Sequence, residues 1–153
     1  MTAPDIHLWK YQGRAARNYS GLNLSGTVRG CRKLAHGVER LLMKGADRSL
    51  SLELSTPPSL LLRSVNRSEK VQVYRELLLT LSDETQFLDF EDALELRLDR
   101  VNLELLAKAV EAISRGVGDF SILDAPLWMW WSYTNTDGRL AITAPEPGYN
   151  PGP

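Results

Sequence analysis

Leucine stands at every second position in Leu50, Leu52 and Leu54, and again in Leu94, Leu96 and Leu98, with Ser, Glu and Arg between. A period of two sends alternate side chains to opposite faces of a strand, so both runs predict strands with one face buried and one in water. Two other stretches repeat at helical spacing. Val28, Cys31, Leu34, Ala35, Val38, Leu41 and Leu42 form one stripe, and Leu103, Leu106, Ala107, Val110 and Ile113 form another. Strands and helices that each own one apolar face must bury those faces against one another.

The boundaries follow from local chemistry. Ser25 or Thr27 can cap the first helix, whose outer face carries Arg29, Arg32, Lys33, His36, Arg40 and Lys44, and Gly45 can close it. Asp99 can cap the second helix, where its carboxylate also suits the positive end of the dipole, and Gly116 ends it. Residues 5–12 alternate apolar and polar and read as a first strand. Residues 14–24 read as a loop or short edge strand, with Asn18-Tyr19-Ser20-Gly21 as turn chemistry. Pro57-Pro58 stops the Leu50 strand, and residues 60–65 suit a short buried element. Residues 71–81 read as a strand, although Leu77-Leu78-Leu79 would also suit a helix. Residues 82–92 form an acidic connection whose Phe87, Leu88 and Phe90 fold back onto the core, and residues 120–123 and 127–133 supply further strands. The economical solution is a single two-layer α+β domain over residues 1–143, a mostly antiparallel sheet with two amphipathic helices on one face. Residues 144–153, with Pro145, Pro147, Pro151 and Pro153, have no periodicity and are expected to be disordered.

A chain of 153 residues can bury a core of this kind without disulfide or metal support. No apolar run approaches the roughly 18–20 residues of a membrane span. Met1-Thr2-Ala3-Pro4-Asp5 does not open a signal peptide, and the lone Cys31 has no internal disulfide partner, so the expected compartment is the cytoplasm. The net charge of −1 hides an asymmetry: residues 1–50 hold nine Lys/Arg against three Asp/Glu, a balance of +6, while residues 51–100 stand at −4 and residues 101–153 at −3. A basic third can meet an anionic partner or pack beside acidic elements of the same fold. The basic helix face lacks aromatic interleaving and a recognition-helix partner, which argues for a solvated face rather than nucleic-acid binding.

Catalytic constellations are missing. His7, His36 and Cys31 are too few for a structural zinc site, and Cys31 and His36 lie about 140° apart around one helix, so they neither chelate together nor form a nucleophile–base pair. The acidic connection lacks the spacing and mid-loop glycine of a calcium loop. Gly116-Val117-Gly118-Asp119 follows a helix and lacks a third glycine, so it reverses the chain rather than binding a dinucleotide. Asp119, just past a helix C-terminus, calls for a compensating donor: a backbone turn, an indole N–H or a ligand.

Trp128-Met129-Trp130-Trp131 holds three of the four tryptophans. On a strand, Trp128 and Trp130 would take one face and Met129 and Trp131 the other, one side anchoring the core and the other offering a surface. The Asn18-Tyr19 turn followed by a helix with Gly30-Cys31-x-x-Leu34, together with the closing Gly116-x-Gly118-Asp119-Phe120-x-Ile122 and Leu127-Trp128-x-Trp130-Trp131, resembles a group of small uncharacterised bacterial proteins. Where those proteins are expected to carry a Trp-His pair this chain has Leu22-Asn23, and the resemblance implies no activity.

These residues point to a non-catalytic cytoplasmic protein without cofactor or metal that binds another protein, of immunity or accessory type, through the Trp strand, the acidic connection or both. The alternative is a small-molecule-binding domain or weak enzyme with a pocket among Asn18, Tyr19, Asp119, Trp128, Trp130 and Trp131.

Overall fold

β1 (Ile6–Tyr11) and β2 (Leu22–Gly26) pair antiparallel, and β2 runs through Thr27 directly into α1 (Val28–Lys44). The structure, a computed structural model, describes residues 6–12, 21–44, 49–58, 71–118, 120–123, 127–136 and 139–143. The Asn18-Tyr19 turn, Gly45, the element at 60–65, Asp119 and the tail from residue 144 lie outside the described residues.

The Thr27 hydroxyl accepts from the Gly30 N–H at 2.9 Å, so Thr27 is the cap while Ser25 stays in the strand. α1 buries Cys31, Leu34, Ala35, Val38 and Leu41 and exposes Arg29, Arg32, Lys33, His36 and Arg40, as its period requires. Then come β3 (Ser49–Glu53), β4 (Val71–Val73), β5 (Glu76–Leu81), β6 (Gln86–Phe90) and β7 (Ala93–Leu98). α2 (Arg100–Ser114) starts where Asp99 accepts from the Asn102 N–H at 2.8 Å, and the chain leaves it through Gly116 at φ 91°. Its predicted stripe is buried in full. β8 (Phe120–Ile122), β9 (Leu127–Met129) and the hairpin of β10 (Tyr133–Thr136) and β11 (Arg139–Ile142) complete the described elements.

The strands form two larger sheets. The first has the order β4-β1-β2-β9-β8 and the second β3-β5-β7-β6; each contains one parallel pair, β2 with β9 and β5 with β7, and its other pairs are antiparallel. β4 and β5 are one extended run interrupted at Tyr74-Arg75, and backbone bonds close the seam. The Tyr74 N–H donates to the Leu8 carbonyl at 3.0 Å, Leu54 to Arg75 at 2.8 Å and Ser55 to Ile6 at 3.0 Å. β1 and β3 therefore follow one another end to end along the same side of that run. The helices pack together and share one core with both sheets, built on Leu8 and Leu24 from the first and Leu77, Leu79, Leu94 and Leu96 from the second. The architecture is α+β with the helices on the sheets, as expected.

Three local expectations change, and a fourth, the strand at residues 71–81, holds while its alternative falls. Residues 22–24, the end of the stretch read as a loop or edge, belong to a central strand, because β9 pairs parallel to β2 and closes its second side. Residues 71–81 are extended throughout and bend at the seam, which excludes a helix for Leu77-Leu78-Leu79. The acidic connection contains an edge strand, β6, whose backbone pairs with β7 from Gln86 opposite Arg97 to Phe90 opposite Ala93. The Trp strand ends at Met129, and residues 130–132 are irregular before β10 pairs with β11.

Candidate functional site

Pairing registers define which side chains share a face. On the first sheet the face away from the helices carries a row across all five strands: Val73, Trp9, Asn23, Trp128 and Ser121. Trp9 and Asn23 are fully buried, Val73 and Trp128 half-buried and Ser121 exposed, so the middle of this face is covered as well. A second cluster of Trp9, Tyr11 and Tyr133, with Val71, Val73 and Trp130 against it, accounts for part of that cover. Trp128, Trp130 and Trp131 are each half-buried, while Leu127 and Met129 point into the main core.

Buried polar groups hold this layer together. Asn23 Oδ1 accepts from the Trp130 indole at 2.7 Å, and its amide donates to the Trp9 carbonyl at 3.4 Å. Ser25 Oγ donates to the Trp131 carbonyl at 2.7 Å. His7 is buried at the seam. Its Nδ1 lies 2.9 Å from the Ser55 carbonyl, which can only accept, so Nδ1 carries a hydrogen, and its Nε2 lies 2.7 Å from the Tyr133 hydroxyl. The two rings lie nearly parallel, centroids 5.8 Å apart. At 3% exposure the imidazole is a clasp between strands, out of reach of a substrate. Trp9 Nε1 is buried with no acceptor among the described residues.

On the other side of the seam, Tyr74 is fully buried and donates to Asp89 Oδ2 at 2.7 Å, while Lys10 Nζ stands 3.6 Å from the same oxygen. Burial first, then the hydrogen bond to Asp89 and its negative charge, raise the phenol above its ordinary value near 10. A folded value above the unfolded one means the contribution is complete below about pH 10 and is lost as pH rises beyond it, at up to about 1.4 kcal/mol per pH unit. Urea titrations at about pH 9 and about pH 11 should show a smaller alkaline loss in Tyr74→Phe than in the parent; equal losses would remove Tyr74 from the account.

Concave space occurs elsewhere. A cavity of about 550 Å³ is lined by Arg32, Glu111, Ser114, Arg115 and Thr143, at the α1–α2 contact and the residue after β11. Of these, the sequence draws notice only to Arg32, as part of the basic helix face. Arg115 already pairs with Glu111 at 3.2 Å. Among the described residues no group of three His, Cys, Asp or Glu side chains is arranged to hold a metal, and no helix is long and apolar enough to cross a membrane.

The second sheet differs from the first: its outer face is open. Registers give three rows across it: Glu53, Glu76, Ala93 and Phe90; Ser51, Leu78, Glu95 and Leu88; Ser49, Thr80, Arg97 and Gln86. Phe90 is 61% exposed, and Leu78, Leu88 and Ala93 are half-buried beside it. Glu53 and Glu76 are exposed and directly opposite across β3 and β5, a like-charge pairing that costs stability. Arg97, the one cation in these rows, lies 3.4 Å from Glu95. The β6–β7 turn adds Glu91 and Asp92, both exposed. Sequence reading reached the acidic segment of this surface and missed Leu78, although a signal existed: three consecutive leucines on a strand must place the middle one opposite its neighbours.

Of the residues singled out from the sequence, Trp128, Trp130 and Trp131 gather at the covered side of the first sheet. Asn18, Tyr19 and Asp119 lie outside the described residues. No protein-family model, no curated protein and no solved structure matches this chain.

Proposed function

We propose that this chain is a non-catalytic cytoplasmic protein-binding domain, an immunity-type or accessory protein, that docks its partner on the outer face of the second sheet. The observation that carries the reading is the contrast between the two sheets. The centre of the far face of the first is buried under an aromatic layer, whereas the same side of the second leaves Phe90 exposed and Leu88 and Leu78 half-buried among carboxylates. An exposed aromatic with aliphatic neighbours and a polar rim is the usual layout of an interface centre. The acidic segment anticipated from the sequence contributes through β6 and its turn. The tryptophans contribute by fixing the scaffold: Trp130 is tied to Asn23, and the Trp131 carbonyl to Ser25.

Site-specific photo-crosslinking tests the choice of face. A crosslinking side chain at Phe90 should capture one partner in native lysate, and Leu88→Ser should abolish the capture. Crosslinkers at Arg29 on α1 and at Trp128 should not reproduce it. Capture from Trp128 alone would move the surface to the first sheet, and indiscriminate or no capture would overturn the proposal.

A further inference from the structure

The chemistry of the open face defines the class of partner. We infer that, given docking on this sheet, the occupant is an amphipathic helix of another protein whose apolar stripe is flanked by lysine or arginine. Three arguments converge on that occupant.

The first is shape. Phe90 and Glu53 sit at the two edges of four strands, about 14 Å apart at the usual strand spacing. A helix of about 10 Å diameter fills most of that width and leaves Glu53 beside its flank, within reach of a flanking side chain. The second is the apolar content. Leu78, Leu88, Ala93 and Phe90 form a contiguous diagonal on adjacent strands, which matches a single helical stripe rather than a broad apolar interface.

The third is charge, and it decides the sign of the partner. Glu53 and Glu76 are held side by side at one end of the rows, with the Ser51 hydroxyl 3.3 Å from Glu76 Oε1. Glu91 and Asp92 at the β6–β7 turn extend the same edge, where the Arg75 and Glu76 N–H groups donate to the Asp92 carbonyl. The single cation, Arg97, is engaged by Glu95. A cation set between Glu53 and Glu76 turns a repulsive pair into two attractive contacts, so the same two residues weaken the free fold and strengthen the complex. A second copy using this face would set one acidic rim against another.

The test uses the full chain, isotope-labelled, and two synthetic 18-residue helical peptides with the same leucine stripe, one flanked by lysines and one by glutamates. Amide shifts are followed by NMR. The lysine peptide should move the amides of Leu78, Leu88, Phe90, Ala93 and Glu95, and raising NaCl from about 50 to about 500 mM should weaken it severalfold. The double variant Glu53→Gln/Glu76→Gln should bind it about tenfold more weakly while the free variant melts at a higher temperature than the parent, a pairing that a purely structural role does not produce. Equal binding of both peptides at this face would overturn the charge inference and leave the docking face standing. Shifts confined to other surfaces, or none, would overturn both. Concentration-dependent shifts of the free chain at these amides would assign the face to self-association and overturn the inference.

Discussion

Gly118→Ala should lower the stability of this protein by about 3 kcal/mol and its Tm by about 6–12 °C. A Cβ at Gly118 would lie 2.7 Å from the backbone nitrogen and Cγ of Trp131 and 2.9 Å from its Cα. Backbone cannot swing aside as the end of a side chain can, and this backbone is pinned on both sides. The Trp131 carbonyl holds Ser25, and the next residue, Ser132, donates to the Ile113 carbonyl at the end of α2. Relief would require moving α2 away from the segment that leads into β10. Gly37→Ala is the matched control. There the added carbon meets only the Leu50 side chain, nearest at 3.1 Å, and α1 gains helix propensity of about 1 kcal/mol, so the change should be near neutral. Chemical denaturation of both variants measures the contrast. Equal effects would mean that the close approach at Gly118 is not what constrains the residue.

Asn23→Ala should cost about 2–4 kcal/mol, from lost packing at a fully buried site together with the loss of the indole's acceptor. The Trp130 indole would lose the Asn23 acceptor, in the same layer where Trp9 Nε1 is buried with no acceptor among the described residues. Asn23→Leu should restore part of the packing term and none of the hydrogen bond, placing it between Asn23→Ala and the parent. The indole resonance of Trp130 in proton NMR should shift in both variants, because its hydrogen-bond partner is gone. A loss below about 1 kcal/mol in Asn23→Ala would show that the Asn23–Trp130 bond contributes little to holding the aromatic layer.

Asn23 also marks where the sequence stops being legible. Both helices, their stripes and the Asp99 cap could be read directly, because helix periodicity and capping are local: Asp99 and Asn102 are three residues apart. β2 could not be read as a central strand. Its polar residues, Asn23 and Ser25, look solvent-facing until their partners, Trp130 and Trp131, arrive from 107 and 106 residues away. β6 was obscured in the same way, because its carboxylates resemble loop chemistry. Asp89 is in fact spoken for by Tyr74 and Lys10 from across the seam. The candidate surface was half legible. The acidic segment drew notice through its composition, but its union with Leu78, Glu53 and Glu76 depends on strand order, which no local pattern encodes.

Strand order also constrains when this protein can fold. β2 is flanked by β1 on one side and by β9, more than a hundred residues later, on the other. His7 at the start of the chain meets Tyr133 across 126 residues. A polypeptide emerging from the ribosome therefore cannot complete its first sheet from its early residues, and Trp9 and Tyr11 wait with an unfinished face until β9 and Tyr133 appear. Such distant pairings slow folding and lengthen the interval in which unpaired strand edges are open to other chains. β1 and β2 are made long before they are sealed, so completion of this sheet waits on delivery of the segment that carries β9 and Tyr133.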